Sequence, residues 1–345
     1  GNIIYNKAPV MMKKLVEIMG EEAYREGIQE YVKTYAYNNA TWDDLITILD
    51  RKTEEDLASF SDVWVNEKGM PHISFTRIGQ QLIIRQSDPY QRGLIWPQSF
   101  QITMKGETDK LLEINLNDST LVLNLPEDTY AILPNTDGRG YGLFIPDANS
   151  REWLLKHWQE TKDDTARQSL LMLLYENYQA NLISDQIWMN TLLSGLSAEK
   201  NALTASTICS YLGEPLRKIG NEEIEEKIWE WSEKHPIPSC KLQLIRSLIS
   251  NTNSMASIER IHQLWKNQSH PLLNERDYMN MAYELAIRKP SLHESIIDTQ
   301  RNRLSNPDRL REFDFISKAV TPDTLKMDEC FQSLMKAENR RIEPW

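Results

Sequence analysis

Apolar residues recur at helical spacing over residues 9–68. From Pro9 onward they form two stripes, Met11, Leu15 and Ile18 in one and Met12, Val16 and Met19 in the other. The two stripes together cover more than half of the helix circumference, which predicts a helix that is buried on most sides. Pro9 fits its first turn and Gly20 its end. Three more helices are predicted from apolar residues three or four positions apart, at Tyr24, Ile28, Tyr31 and Tyr35, at Trp42, Leu45, Ile46 and Leu49, and at Leu57, Phe60, Val63 and Trp64.

The hydrophobic period changes to two after Gly69-Met70-Pro71. Short alternating or β-branched runs, separated by turn residues, then occupy 72–77, 81–86, 98–104, 111–116, 120–125, 130–133 and 141–145. Seven short strands in one stretch predict a small β-sandwich. The glycines of segment 138–142 are also typical of a phosphate-binding loop, but no helix is predicted after them. A glycine-rich hairpin turn is therefore the favoured interpretation.

The pattern becomes helical again after Asp147. Helices are predicted near 149–160, 164–180, 184–197, 199–212, 221–234, 239–250, 255–267, 274–288, 291–304, 307–319 and 322–337. Four prolines, at 271, 290, 307 and 322, are spaced by about one helix and one turn. Asn306-Pro307 and Thr321-Pro322 fit an N-cap followed by proline at the first helical position. The spacing predicts stacked helical hairpins in a curved, armadillo- or HEAT-like α-solenoid.

The patterns together predict a multidomain α and β protein with three domains. These are a helical segment over 1–69, the β-sandwich over 70–147 and the α-solenoid over 148–345. The heavily apolar helices of the first segment have little chain before them, which suggests the edge of a larger domain. The chain is expected to be truncated at both ends.

Charge and composition exclude several classes of protein. The 345 residues include 39 Lys and Arg against 50 Asp and Glu, a net charge of −11. Binding to nucleic acid or an anionic membrane is disfavoured, because phosphate contact requires a basic face. No apolar run is long enough for a transmembrane segment. The three cysteines lie far apart and are interpreted as buried free thiols.

No catalytic or metal-binding motif is visible in the residues themselves. None of the six histidines belongs to an H-E-x-x-H motif, and no serine or cysteine has the surroundings of a nucleophile. Paired acidic residues at Asp163-Asp164 and Glu222-Glu223 fall at predicted helix starts, where carboxylates stabilise the helix dipole. We therefore predict no metal site and no bound zinc in this chain.

Several motifs, in order along the chain, resemble the aminopeptidase N family of zinc metallopeptidases. They are Tyr5-Asn6-Lys7-Ala8, the segment 20–27, the segment 36–41, the boundary 64–71, the glycine-rich segment 135–142, and the pieces 311–315 and 339–345. Glu67 departs from the glutamine usual at its position, and Pro9 follows Ala8 where the family more often has Gly-Ala. The match extends over the whole chain, which makes it more specific than any single motif.

The resemblance implies both a fold and an activity. Residues 1–69 would be the helical end of a thermolysin-like catalytic domain, and the family's G-x-M-E-N and zinc-binding motifs would lie upstream of residue 1. The full-length protein would be a zinc aminopeptidase that acts on peptides, and this isolated chain would be inactive. Tyr5 would donate a hydrogen bond to the developing oxyanion, and the solenoid would cover the active site. For Lys7, two interpretations stay open, a solvated lysine at a helix start and a functional residue.

The alternative function is a non-enzymatic scaffold that binds a peptide or protein and carries a degenerate peptidase domain. An intact upstream zinc motif would support the enzyme, and its loss would support the scaffold. Cytoplasm and periplasm stay open as compartments, as do the oligomeric state and the preferred N-terminal residue.

Overall fold

A computed structural model of the chain describes residues 7–340. The backbone forms two compact units, Gly1–Leu154 and Leu155–Trp345. Both helices and small sheets are present, which confirms the mixed, multidomain class predicted from the sequence. The division into three domains at 69 and 147 stays a prediction. Within the described residues, no helix is long and apolar enough to cross a membrane.

The first unit begins with short helices. They are α1 (Ala8–Met19), α2 (Glu21–Thr34), α3 (Trp42–Asp50) and α4 (Leu57–Ser61), the last continued by a π-helical turn (Asp62–Asn66). Pro9 lies in the first turn of α1 and Gly20 ends it at φ +83°, as the sequence predicts. Thr41 caps α3: its hydroxyl accepts from the Asp44 N–H, while the Asp44 carboxylate accepts from the Thr41 N–H.

One face of α1, with residues of both predicted stripes, lies in the core of these helices. Met11, Leu15 and Met19 are buried together with residues of α3 and α4. Ile18, predicted to be buried, is 38% exposed. The difference has a physical reason, since a helix buried on most sides needs neighbours around most of its circumference. In the described residues α1 is covered on one face.

Seven strands follow in the described residues, each within two residues of its predicted position. They are β1 (His72–Ile78), β2 (Gln81–Ser87), β3 (Gln98–Lys105), β4 (Lys110–Leu116), β5 (Thr120–Asn124), β6 (Ala131–Leu133) and β7 (Leu143–Ile145). One sheet has the order β5-β2-β1-β7 and the other β4-β3-β6. β1 is antiparallel to β2 and parallel to β7.

Aromatic side chains from both sheets meet in the core of this region. The Phe100 ring on β3 lies 6.5 Å from that of Phe75 on β1 and 5.0 Å from that of Phe144 on β7, centroid to centroid. All three side chains are buried. The apolar faces of the two sheets therefore pack against each other.

The glycine-rich segment 138–142 forms a turn, but the hairpin prediction for it is wrong. The strands on either side of it, β6 and β7, belong to different sheets, so the segment crosses from one sheet to the other. Strand β7 follows it, which contradicts the phosphate-loop interpretation. Gly142 has φ +147°, and a Cβ there would lie 2.6 Å from the Pro71 carbonyl oxygen. This close approach explains why the crossing requires glycine.

The second unit is helical. Helix α5 (Ala148–His157) precedes it and continues into it, and the others are α6 (Asp164–Gln179), α7 (Asp185–Ala198), α8 (Ala202–Tyr211), α9 (Gly213–Ile219), α10 (Glu222–Lys234), α11 (Pro238–Asn251), α12 (Met255–Asn267), α13 (Glu275–Arg288), α14 (His293–Arg303), α15 (Pro307–Ile316) and α16 (Thr324–Met335). Short 3₁₀ turns lie at Trp158–Glu160, Pro290–Leu292 and Ala337–Arg340. Neighbouring helices pack together, and α11 contacts α8, α10 and α13.

Two details of this unit differ from the sequence prediction. Helix α9 is not predicted. It lies between the predicted helices 199–212 and 221–234 and contains Gly213 and Pro215. Both lie in its first turn, where a missing N–H is tolerated. Asn306 caps α15 with Pro307 at the first position, as predicted. The Thr321-Pro322 start is wrong, since Asp323 caps α16 instead.

A buried carboxylate connects α10 to the start of α12. Glu225 is fully buried and accepts hydrogen bonds from the hydroxyls of Thr252 and Ser254 and from the Asn253 N–H, the last at 2.6 Å. Burial opposes the ionised form, but these hydrogen bonds prevail and lower the pKa of Glu225 below its ordinary value. The carboxylate thus holds the α11–α12 turn against α10.

Candidate functional site

The sequence predicts one catalytic residue, Tyr5, and it lies outside the described residues. Lys7, two positions later, is half-buried at the start of α1. Its Nζ lies 6.0 Å from the centroid of the Tyr141 ring, and burial lowers the pKa of Lys7. The side chain is therefore partly desolvated.

The described residues contain no cluster of three or more His, Cys, Asp or Glu side chains that could hold a metal ion. Cys209 and Cys240 are buried free thiols and Cys330 is partly buried. Burial raises the pKa of Cys209 and Cys240, so both are poor nucleophiles at neutral pH.

The candidate binding site in the described residues is a groove of about 570 Å³ in the first unit. Helix α1, helix α4 with its π-helical turn, and the residues around β3 and β4 form its walls. The apolar lining is Ile18, Phe60, Val63, Trp64, Ile95 and Pro97, and the polar and charged lining is Lys14, Glu17, Glu55, Asp56, Ser59, Gln98, Ser99, Glu113, Asn117 and Arg139. This volume lies within the range of sites for small ligands.

Lys14 is the most unusual residue of the groove. The residue is only 5% exposed, and its Nζ donates a hydrogen bond to the Arg139 carbonyl oxygen at 3.3 Å. The same ammonium lies 4.8 Å from the centroid of the Trp64 ring, a cation–π contact. In the described part of the chain no carboxylate pairs with it. A buried ammonium without an ion-pair partner is rare in proteins.

The surroundings of Lys14 change its protonation. Burial lowers the pKa of Lys14 to about 8, against an opposing effect of the Glu17 carboxylate. Arg139 and Lys13 lower the pKa further, and Asp137 opposes them. The side chain is therefore a cation at neutral pH that loses its proton in mildly alkaline solution.

Sequence reasoning missed Lys14, although a signal was present. The residue lies three positions after Met11 and directly before Leu15, on the face that α1 buries. A lysine on the buried face of a helix either carries its charge to the surface along its aliphatic chain or is desolvated. Here the loop that contains Arg139 closes over it.

The loop at the edge of the groove is held by a network around Arg139. Its Nη2 donates to both oxygens of Glu113 at 2.5 and 2.6 Å, and its Nε donates to Asp137 at 2.5 Å. Nearby, Gln98 and Tyr141 exchange hydrogen bonds through the Gln98 side chain and the Tyr141 backbone. The charge of Arg139 is thus matched by two carboxylates, whereas that of Lys14 is not.

We expect Lys14→Met to stabilise the chain. The lowered pKa corresponds to a cost of about 3 kcal/mol for keeping the ammonium charged in its buried position, and methionine fills a similar volume without charge. At pH 7 the free energy of unfolding should rise by roughly 1–3 kcal/mol in urea denaturation. Above pH 8 the native wild-type protein loses the Lys14 proton, whereas the unfolded chain keeps it up to a higher pKa. The free energy of unfolding of the wild type should therefore rise above pH 8, and the difference in stability between Lys14→Met and the wild type should shrink.

Lys13→Met is the matched control for this variant, because Lys13 is the exposed neighbour on the same helix. It should leave stability unchanged. A clear loss of stability in Lys14→Met would show instead that the cation–π contact with Trp64 outweighs the cost of burial.

Comparisons with known proteins show similarity over part of the chain. Residues 1–64 match the profile of the peptidase family M1 domain. Aminopeptidase N of Lactococcus lactis subsp. lactis is 28% identical over 114 residues, 32% of this chain and 13% of that protein. Tricorn protease-interacting factor F2 of Thermoplasma volcanium is 27% identical over 128 residues, 35% of this chain and 16% of that protein.

A third relative gives the same picture. A protein described as probable aminopeptidase 2 of Sulfurisphaera tokodaii is 24% identical over 131 residues, which is 38% of this chain and 16% of that protein. The matched parts thus span less than a fifth of the length of these three relatives. Residues 1–64 are thus similar to the peptidase family M1 domain, and part of this chain is similar to aminopeptidase N proteins.

Proposed function

We propose that this chain is the C-terminal part of a zinc-dependent aminopeptidase that removes N-terminal residues from peptides. The match of residues 1–64 to the peptidase family M1 domain supports this proposal most directly. Two relatives from different organisms bear aminopeptidase names, and they support the same activity. Because the matched parts of these relatives are short, the substrate and the activity of the full-length protein are both proposed.

In this proposal Tyr5 acts on the transition state. Its phenol O–H would donate a hydrogen bond to the oxygen of the scissile carbonyl as negative charge develops there. A donor that is preorganised at this position interacts more strongly with the transition state than with the substrate, so it accelerates the reaction. Tyr5 has this role by resemblance to the family.

The described residues do not fit a zinc site, since they hold no group of three or more suitable ligands. In the proposal the ligands lie in a part of the protein that precedes this chain, where zinc would activate water and polarise the scissile carbonyl.

The remaining parts would have supporting roles. We propose that the two sheets over 70–147 form a β-sandwich spacer, a proposal that the packing of Phe75 and Phe144 against Phe100 supports. We propose that the helices of 148–345 form an α-solenoid that limits the length of admitted peptides. The packing of α11 against α8, α10 and α13 supports a helical array.

We expect the isolated 345-residue chain to bind no stoichiometric zinc and to hydrolyse no aminoacyl anilide. Its described residues lack a set of ligands, and a catalytic zinc site requires about three of them. Elemental analysis of purified, tag-free protein decides the question. One tightly bound zinc ion per chain would contradict this expectation.

The full-length protein tests the proposed function itself. We expect one zinc per chain, hydrolysis of aminoacyl anilides, loss of activity on chelation, and its return with added zinc. A full-length protein that holds no zinc and is inactive, but binds peptides, would contradict the proposed enzyme and support the alternative, a non-enzymatic scaffold.

A further inference from the structure

Two buried donors with unused hydrogen-bonding capacity line the groove of the first unit. An ammonium has three N–H donors, and Lys14 uses one of them, toward the Arg139 carbonyl oxygen, within the described residues. Trp64 is 1% exposed, and its indole N–H has no hydrogen-bond partner in that same part of the chain. Because buried donors are normally paired, the two favour a ligand with an oxygen-rich anionic group.

Carboxylates of opposite charge line the same groove. Glu17, one turn after Lys14 on α1, and Glu55, before α4, are exposed and form no ion pair among the described residues. The other two lining carboxylates are already engaged. Asp56 caps α4 through Ser59, and Glu113 pairs with Arg139.

A ligand with one kind of charge would be repelled by part of this lining. An anion would meet Glu17 and Glu55, and a cation would meet Lys14. A zwitterion can satisfy both sets of groups at once. The apolar wall, which includes Ile18, Phe60 and Val63, supplies contacts for a hydrocarbon side chain.

We propose that this groove is a binding site for a small zwitterion with an apolar side chain, namely a free amino acid or a dipeptide. Its carboxylate would accept from Lys14 and Trp64, and its ammonium would face Glu17 and Glu55. The volume of about 570 Å³ accommodates a ligand of this size. The site does not rest on the proposed peptidase activity, because ligand binding requires no turnover.

The first test is isothermal titration calorimetry of the 345-residue chain with L-leucine and L-leucyl-L-leucine. At least one of the two should bind. Relative to leucine, L-leucinamide lacks the carboxylate and 4-methylpentanoate lacks the ammonium. Each should bind at least about tenfold more weakly than leucine, because each leaves one set of charges unmatched. Equal binding of leucine, leucinamide and 4-methylpentanoate would show that the groove recognises only the apolar side chain, and it would overturn the proposal.

Variants then assign the binding to this groove. Lys14→Met should weaken it at least about tenfold, whereas Lys13→Met should leave it unchanged. Because Lys14→Met is expected to be the more stable protein, a loss of binding would not reflect unfolding. Glu17→Gln should weaken binding several-fold, and Glu26→Gln, an exposed glutamate of α2 outside the groove, should not.

Trp64→Phe tests the second donor, since phenylalanine keeps an aromatic ring beside Phe60 and lacks the N–H. It should weaken binding by severalfold. The affinity should also decrease as the pH rises above about 8, where Lys14 loses its proton in the field of Glu17, Asp137, Arg139 and Lys13. No binding of leucine or dileucine at millimolar concentration, or full binding by Lys14→Met, would refute the site.

Discussion

Replacing Tyr5 with phenylalanine in the full-length protein is expected to lower kcat by about 10²–10³, while KM stays within a few-fold. The phenol would donate to the oxyanion mainly in the transition state, so its loss should leave substrate binding almost unchanged. Phenylalanine has nearly the same volume, and the variant should therefore fold normally. The measurement compares kcat, KM, zinc content and melting temperature with those of the wild type.

Tyr37→Phe is the matched control, since Tyr37 is fully exposed between α2 and α3. It should change neither kcat nor stability. A Tyr5→Phe protein with normal zinc and near-normal kcat would remove Tyr5 from the catalytic residues. A structural tyrosine would instead show a stability loss of about 1 kcal/mol with little loss of activity.

The second large effect is expected at Glu225. Replacing it with alanine should lower the free energy of unfolding of the helical unit by about 3–4 kcal/mol. The change would leave the hydroxyls of Thr252 and Ser254 and the N–H of Asn253 buried without their acceptor. Urea denaturation and hydrogen exchange of α10 and the 252–254 turn measure the loss.

The pH dependence provides an independent check. Because hydrogen bonding lowers the pKa of Glu225 below 4.5, the stabilisation is complete above that value and is lost as the pH falls through the native pKa. Wild-type protein should therefore lose stability in acid more steeply than Glu225→Ala. Glu226→Ala, at the exposed neighbouring position, should leave both stability and its acid dependence unchanged. A Glu225→Ala protein as stable as this control would contradict the account.

The secondary structure was largely predictable from local patterns. All seven strands in the described residues lie near their predicted positions, because alternation and turn residues are local signals. The predictions fail where the structure depends on contacts that the local sequence does not show. Helix α9, with Gly213 and Pro215 in its first turn, falls between two predicted helices and is not itself predicted. The turn at 138–142 was assigned to a hairpin because strand pairing depends on contacts distant in sequence.

The groove was much less predictable than the elements around it. The hydrophobic periodicity predicts which apolar residues of α1 are buried. It gives no indication that Lys14, a polar residue on the same face, is buried as well. Its burial depends on Arg139 and Trp64, which are 125 and 50 positions away along the chain. A local sequence pattern cannot predict a contact between residues so far apart in the chain. Tyr5, by contrast, was identified only by family resemblance, since a tyrosine before a helix has no distinctive periodicity.

The proposed activity of the full-length protein is the removal of residues from the N-terminus of peptides. The most direct measurement incubates the zinc-loaded, full-length protein with two peptides of one sequence, one with a free and one with an acetylated N-terminus, and follows both by mass spectrometry. The account predicts stepwise loss of N-terminal residues from the free peptide and no change in the acetylated one. Two intact peptides, or internal cleavage of both, would contradict it.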